Sequence, residues 1–325
     1  MLVCTALSAA VAMGGAACSR CDGVGGGATS DAVSSAPPGP LPSPSAPDSR
    51  LPPRDVRAAT RPTTTRSPGC GRSPTSAVRG EARKVLGDRT FHLWTPESFD
   101  PARAYPVLFT FHGWSSSGRG LEKWFKMQDY VAGEAIVVYP DSAGNAWDFH
   151  GDRDLDFFDA MVADLAGAYC IDLTRVYAFG FSYGGKITHR LGCNRPEALR
   201  GIAVGGSDWR TNERHACGQV PVIIVHRTSD ASEPVAWGRA SAATWAGINQ
   251  CDAATAPPAL PADAEALGCK AYGGCLLPVV YCEDTHVDPS WEPSWNHTVR
   301  ERHRAFVWRW LAALPPADGP RPPAQ

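Results

Sequence analysis

The residues Gly180-Phe181-Ser182-Tyr183-Gly184, with Gly185 directly behind, set one hydroxyl between small neighbours. A serine hydroxyl is a weak nucleophile until a base takes its proton and fixed donors receive the charge on the attacked carbonyl. The setting points to that chemistry. Val176-Tyr177-Ala178-Phe179 reads as a buried strand and Lys186–Leu191 as a helix start, the strand–turn–helix context of a nucleophile elbow. Side chains two residues to either side of Ser182 would meet the neighbouring strand and helix, so glycine belongs at both places. The helix start also aims its backbone N–H groups and positive dipole end at the hydroxyl.

A base and a group that orients it should follow the serine in the order acid, then histidine. The next strong apolar strand is Val222–Val225, and behind it comes His226-Arg227-Thr228-Ser229-Asp230, which makes Asp230 the expected acid and Asp208 the reserve. The last strand, Pro278–Tyr281, leads into a connection holding His286 and His297. His286 comes directly off the strand end and is the expected base; His297, beside a candidate helix cap at Asn296 or Thr298, reads as a surface histidine. The backbone N–H groups of Tyr183 and of Trp114, in the His112–Gly118 loop after Val107–Phe111, are the expected oxyanion donors. Trp114, Trp147 and Trp291 fall in loops on the same face, and Trp147 and Trp291 are candidate substrate contacts, although most of the eleven tryptophans must be buried in packing.

The elements that must position these groups alternate. Short, uniformly apolar runs at Phe91–Trp94, Val107–Phe111, Ala135–Tyr139, Val176–Phe181, Ile202–Val204, Val222–Val225 and Pro278–Tyr281 suit parallel strands covered on both faces. Between them Leu155, Phe158, Met161, Val162 and Leu165 recur at helical spacing, as do Val299, His303, Phe306, Val307, Trp310 and Leu314 before Pro315-Pro316. The pattern predicts an α/β fold with a mostly parallel central sheet and helices on both faces.

That domain is expected over residues 70–315. Residues 2–17 form a short apolar run ending at Gly15-Ala16-Ala17-Cys18. Residues 1–18 are therefore read as an export signal, of a type that can leave a lipid anchor on Cys18, the single route to a membrane. Residues 19–69, rich in Pro, Ser, Gly and Ala, cannot bury enough surface to fold and read as a linker; 316–325 is a Pro-rich tail. Eight cysteines between Cys70 and Cys282 have no C-x-x-C spacing, which favours disulfides of an oxidising compartment over a metal site and leaves their pairing open. With 31 basic and 33 acidic residues, nothing electrostatic calls for a nucleic-acid partner. No cofactor is needed for this chemistry.

Taken together, Phe111-His112-Gly113-Trp114, Tyr139-Pro140-Asp141, Asp156-Phe157-Phe158-Asp159, the elbow through Gly185 and Trp308-Arg309-Trp310-Leu311 resemble the secreted polyhydroxybutyrate depolymerase and feruloyl esterase group of α/β-hydrolases, from Gly69 to the last helix. The resemblance implies an exported serine esterase with Ser182, Asp230 and His286 as its triad, acting on feruloyl or acetyl esters of plant polysaccharide or on a polyester. Two places depart from the group: His226-Arg227 stands where His-Gly is usual, and Val287-Asp288-Pro289-Ser290-Trp291 follows the expected base. The rival reading is a non-catalytic, surface-tethered scaffold that binds carbohydrate or protein.

Overall fold

The computed structural model describes residues 66–72, 77–148, 150–209, 217–287 and 293–315. The expected export signal, most of the linker, the tail and Trp291 lie outside these residues. Nine strands form one sheet: β1 Arg79–Val85, β2 Arg89–Trp94, β3 Tyr105–Phe111, β4 Ile136–Pro140, β5 Ile171–Phe181, β6 Gly201–Gly205, β7 Val222–Arg227, β8 Cys269–Ala271 and β9 Val279–Asp284. Their order is β1-β2-β4-β3-β5-β6-β7-β9-β8. The pairs from β4 through β9 are parallel, while β1, β2 and β8 join antiparallel at the margins. This is the α/β-hydrolase fold.

Each expected strand is present. β1 and β8 are additional, and periodicity could not announce them: β1 (RGEARKV) is largely exposed and polar, and β8 has three residues. β9 runs on through Cys282, Glu283 and Asp284, all buried, where the sequence suggested a loop. Polar side chains that find partners beneath a sheet edge are invisible to a hydrophobicity pattern.

The helices α1 Gly118–Phe125, α2 Met127–Tyr130, α3 Arg153–Ala168, α4 Tyr183–Asn194, α5 Val235–Ile248 and α6 Glu301–Ala312 supply the covering layers. One apolar cluster gathers Leu155, Phe158, Met161 and Leu165 of α3 with Ile187 and Leu191 of α4; another gathers Phe306, Val307, Trp310 and Leu311 of α6 with Phe125. The two clusters take alternate residues of the strands, Val107 and Phe109 on one side and Leu108 on the other. Among the described residues no helix is long and apolar enough to cross a membrane.

All eight cysteines after residue 69 are paired, as Cys70–Cys170, Cys193–Cys217, Cys251–Cys275 and Cys269–Cys282. Such a set fits an oxidising, extracytoplasmic setting. Among the described residues, packing is already in place before the first of them: the buried Ser67 donates its hydroxyl to Tyr169 O at 2.6 Å.

Candidate active site

Ser182 sits between the end of β5 and the start of α4 with φ 55° and ψ −121°, a conformation that costs a non-glycine residue about 1–3 kcal/mol. The surroundings hold it there. Its N–H donates to Gly205 O at 2.9 Å, and its C=O accepts from Gly185 N–H at 2.8 Å and from the Ser207 hydroxyl at 2.7 Å. The flanking glycines are required by contact. A Cβ on Gly180 would lie 2.0 Å from Gly184 O, one on Gly184 2.0 Å from Phe111 O, and one on Gly185 2.4 Å from Ser207 Cβ. The turn can be this tight only because helix, elbow strand and β3 meet there as bare backbone.

Asp230 follows β7 and is buried. Its Oδ1 accepts the N–H groups of Ser232 and Glu233, each at 2.9 Å, and its Oδ2 accepts from Nδ1 of His297 at 2.7 Å. His226 braces the same loop through Nε2–H to Glu233 O at 2.6 Å. Burial holds His226 below the usual histidine pKa, as a neutral ring.

The imidazole beside Asp230 therefore belongs to His297, and this corrects the expectation placed on His286. The His286 side chain is exposed; among the described residues its backbone alone is engaged, its N–H with Asp284 Oδ1 at 3.2 Å and its C=O with Arg227 at 2.8 Å. The longer β9 explains the difference. β9 lies three strands across from β5, a span of about 14 Å, and His286 leaves the end of β9 too soon to cross it. His297, at the far end of the same connection, reaches the cleft and packs its ring 4.7 Å from Phe181. Asn296 is not a helix cap: its Oδ1 accepts from Arg227, and the residue preceding α6 is Arg300.

The loop after β3 is built on His112. Its Nε2 accepts the Ser142 N–H at 3.1 Å and its Nδ1–H donates to Gly113 O at 2.7 Å, an arrangement available only to the neutral ring. Burial lowers its pKa accordingly. Because the Gly113–Trp114 peptide is trans, fixing the Gly113 C=O against the His112 ring turns the Trp114 N–H away from that ring. This N–H has no hydrogen-bond partner among the described residues. Gly113 also approaches the nucleophile closely, since a Cβ there would stand 3.3 Å from Ser182 Cβ.

A cleft of about 540 Å³ is lined by Gly113, Trp114, Leu121, Trp124, Phe181, Ser182, Tyr183, Glu233 and His297 among others. Trp114 is 55% exposed and Trp124 48%, and they present aromatic surface at its mouth. Trp147, expected as a substrate contact, is buried instead; its ring packs on Phe111 and His112 and its Nε1–H donates to His112 O at 2.8 Å. It supports the loop from behind and does not line the cleft. Asp208, the reserve acid, pairs with the buried Lys186, which also holds Glu233 at 2.9 Å.

Trp124, Lys186 and Glu233 were not anticipated. Lys186 alone left a trace, as a charged residue within an otherwise apolar helix start; Trp124 and Glu233 reach the cleft through tertiary folding. Among the described residues no group of three His, Cys, Asp or Glu side chains is arranged to hold a metal ion.

No family model matches the chain. Curated relatives do. The chain is 26% identical over 226 residues to a probable feruloyl esterase C of Aspergillus clavatus, covering 67% of this chain and 80% of that protein. It is 26% identical over 192 residues to feruloyl esterase C of Emericella nidulans, covering 57% and 70%. Among solved structures, a ferulic acid esterase of Anaeromyces mucronatus with ferulic acid bound superposes with a TM-score of 0.50 at 13% identity, covering 78% of this chain and 96% of that one, a likeness of fold.

Proposed function

We propose that this serine carboxylic ester hydrolase cleaves acyl esters carried on plant polysaccharide, feruloyl or acetyl, through Ser182, His297 and Asp230. The observation that carries the reading is the Asp230–His297 pair opening into the same cleft as a serine raised on a strained elbow. Asp230 Oδ2 accepts the Nδ1 proton, which leaves the Nε2 lone pair to receive the proton of Ser182. Ser182 Oγ attacks the ester carbonyl carbon, and the N–H groups of Trp114 and Tyr183 receive the oxyanion. The tetrahedral intermediate collapses, its C–O bond to the alcohol breaks, and the imidazolium returns its proton to the departing alkoxide. Water, deprotonated by His297, then attacks the acyl-enzyme and frees the acid. Trp114 and Trp124 supply flat apolar surface for a planar acyl group or a sugar ring.

The residues preceding the domain fit this use as an export signal and spacer, with Cys18 as the candidate acylation point; labelling with radioactive palmitate in wild type and Cys18→Ser tests it.

Turnover of p-nitrophenyl acetate, methyl ferulate, acetylated xylan and polyhydroxybutyrate by wild type and Ser182→Ala tests the function. The expected result is hydrolysis of the feruloyl or acetyl esters and a loss of about 10⁴-fold or more in the variant. Equal rates in the two proteins would return the chain to a binding scaffold. Cleavage of the polyester in preference to the others would move the substrate class.

A further inference from the structure

We infer that Arg227 is a positioning residue that sets the acid and the base against each other. Arg227 ends β7 and is 1% exposed. Its backbone serves the acid, because its C=O accepts the Asp230 N–H at 3.3 Å. Its side chain serves the base. A single nitrogen, Nη2, donates to His286 O at 2.8 Å and to Asn296 Oδ1 at 2.9 Å. These acceptors stand at the two ends of the connection that delivers His297, and Asn296 is bonded to His297 in the chain. One guanidinium thus pins a residue at each end of the connection that ends at His297, whose ring must stay at hydrogen-bond distance from Asp230.

The charge is accommodated locally. Arg227 lies opposite Asp284 in the parallel pairing of β7 with β9, with Nε 4.0 Å from Asp284 Oδ2. Asp284 also receives Arg300 through two nitrogens, keeps the His286 N–H, and faces His303 Nδ1 at 3.7 Å. None of Arg227, Asp284 and Arg300 lines the cleft, so Arg227 acts through His297 and not on substrate. A glycine at this position would leave His286 and Asn296 without this tether.

The inference rests on His297 being the base, and the test separates the two. The variants are Arg227→Met, which keeps the stem and removes the donors; Asn296→Ala, which removes one buried acceptor; their combination; and His297→Ala. A base displaced by about 1 Å loses about 100-fold in kcat. We therefore expect Arg227→Met to lower kcat for p-nitrophenyl acetate by about that factor with KM within about twofold. Asn296→Ala should lower kcat in the same direction, and the double variant should be no worse than Arg227→Met, since Arg227→Met already breaks the contact that Asn296→Ala removes. Wild-type kcat in Arg227→Met or Asn296→Ala, with His297→Ala inactive, overturns the positioning role alone. Full activity in His297→Ala overturns the underlying assignment. Should Arg227→Met fail to fold, Asn296→Ala decides by the same kcat criterion.

Discussion

His297 Nδ1 stands 2.7 Å from Asp230 Oδ2 across 67 residues of chain, whereas the side chain of His286, at the start of the same connection, is exposed. The pairing predicts unequal substitutions. His297→Ala should lower kcat by about 10⁴-fold or more, and His286→Ala should leave it within a few fold, because among the described residues only backbone atoms of His286 are engaged. Steady-state kinetics on a p-nitrophenyl ester reads both; the opposite ranking would reverse the assignment of the base.

Stability should fall as the solution is acidified below about pH 6.5. His112, His226 and His303 all have pKa values lowered from 6.5 chiefly by burial. Below 6.5 the unfolded chain takes up protons that the folded chain refuses, so their contribution is fully present above the unfolded value and is lost as pH drops toward the folded one. Each adds a limiting slope of about 1.4 kcal/mol per pH unit. Asp284 is also held low: burial pushes it up, but the Arg300 guanidinium, His303 and the His286 N–H together outweigh that, and its contribution fades near and below pH 4. Melting curves between pH 4 and 8 should show this decline, and a flat Tm from pH 8 to 5 would contradict it. Protonating His112 would also cost the Ser142 N–H its acceptor, so activity should fall with the same groups.

Two glycine replacements should have opposite outcomes. Gly184→Ala puts a methyl 2.0 Å from the backbone oxygen of Phe111 and should abolish folding or turnover. Gly167→Ala, in an exposed part of α3 with nothing within 4 Å of the new methyl, should raise stability by about 0.5–1 kcal/mol. Thermal melting and turnover of the two proteins check both directions.

Trp124→Ala should raise KM for an aromatic ester by about three- to tenfold, the loss expected for one ring contact, with kcat little changed, because Trp124 lines the cleft without touching Asp230 or His297 by hydrogen bond. Trp147→Ala should instead lower kcat, since that indole carries the His112 carbonyl behind the loop that presents the Trp114 N–H. Equal KM effects from the two would place both rings in the cleft.

Opening Cys70–Cys170, which closes a separation of 100 residues, should cost on the order of 4 to 5 kcal/mol. A Cys70→Ser/Cys170→Ser protein should accordingly melt well below wild type in urea titrations, and an unchanged midpoint would argue against the pairing.

Read from the residues alone, the elbow turn at Ser182 and the strand–helix alternation were legible because each is local. A glycine two residues from a serine, or an apolar run of five, carries its structural consequence within one or two turns of chain. Asp230 was legible for the same reason, being the first acid after a strong strand. Which of His286 and His297 lies beside Asp230 was left to the folded chain, because that depends on where β9 ends and how many strands lie between it and Ser182. It also decided the fates of Trp147 and Trp124. Both are tryptophans near the site in sequence or in space, yet one is enclosed behind the loop and the other left open at its mouth, and burial of a side chain is set by what packs on it from distant parts of the chain.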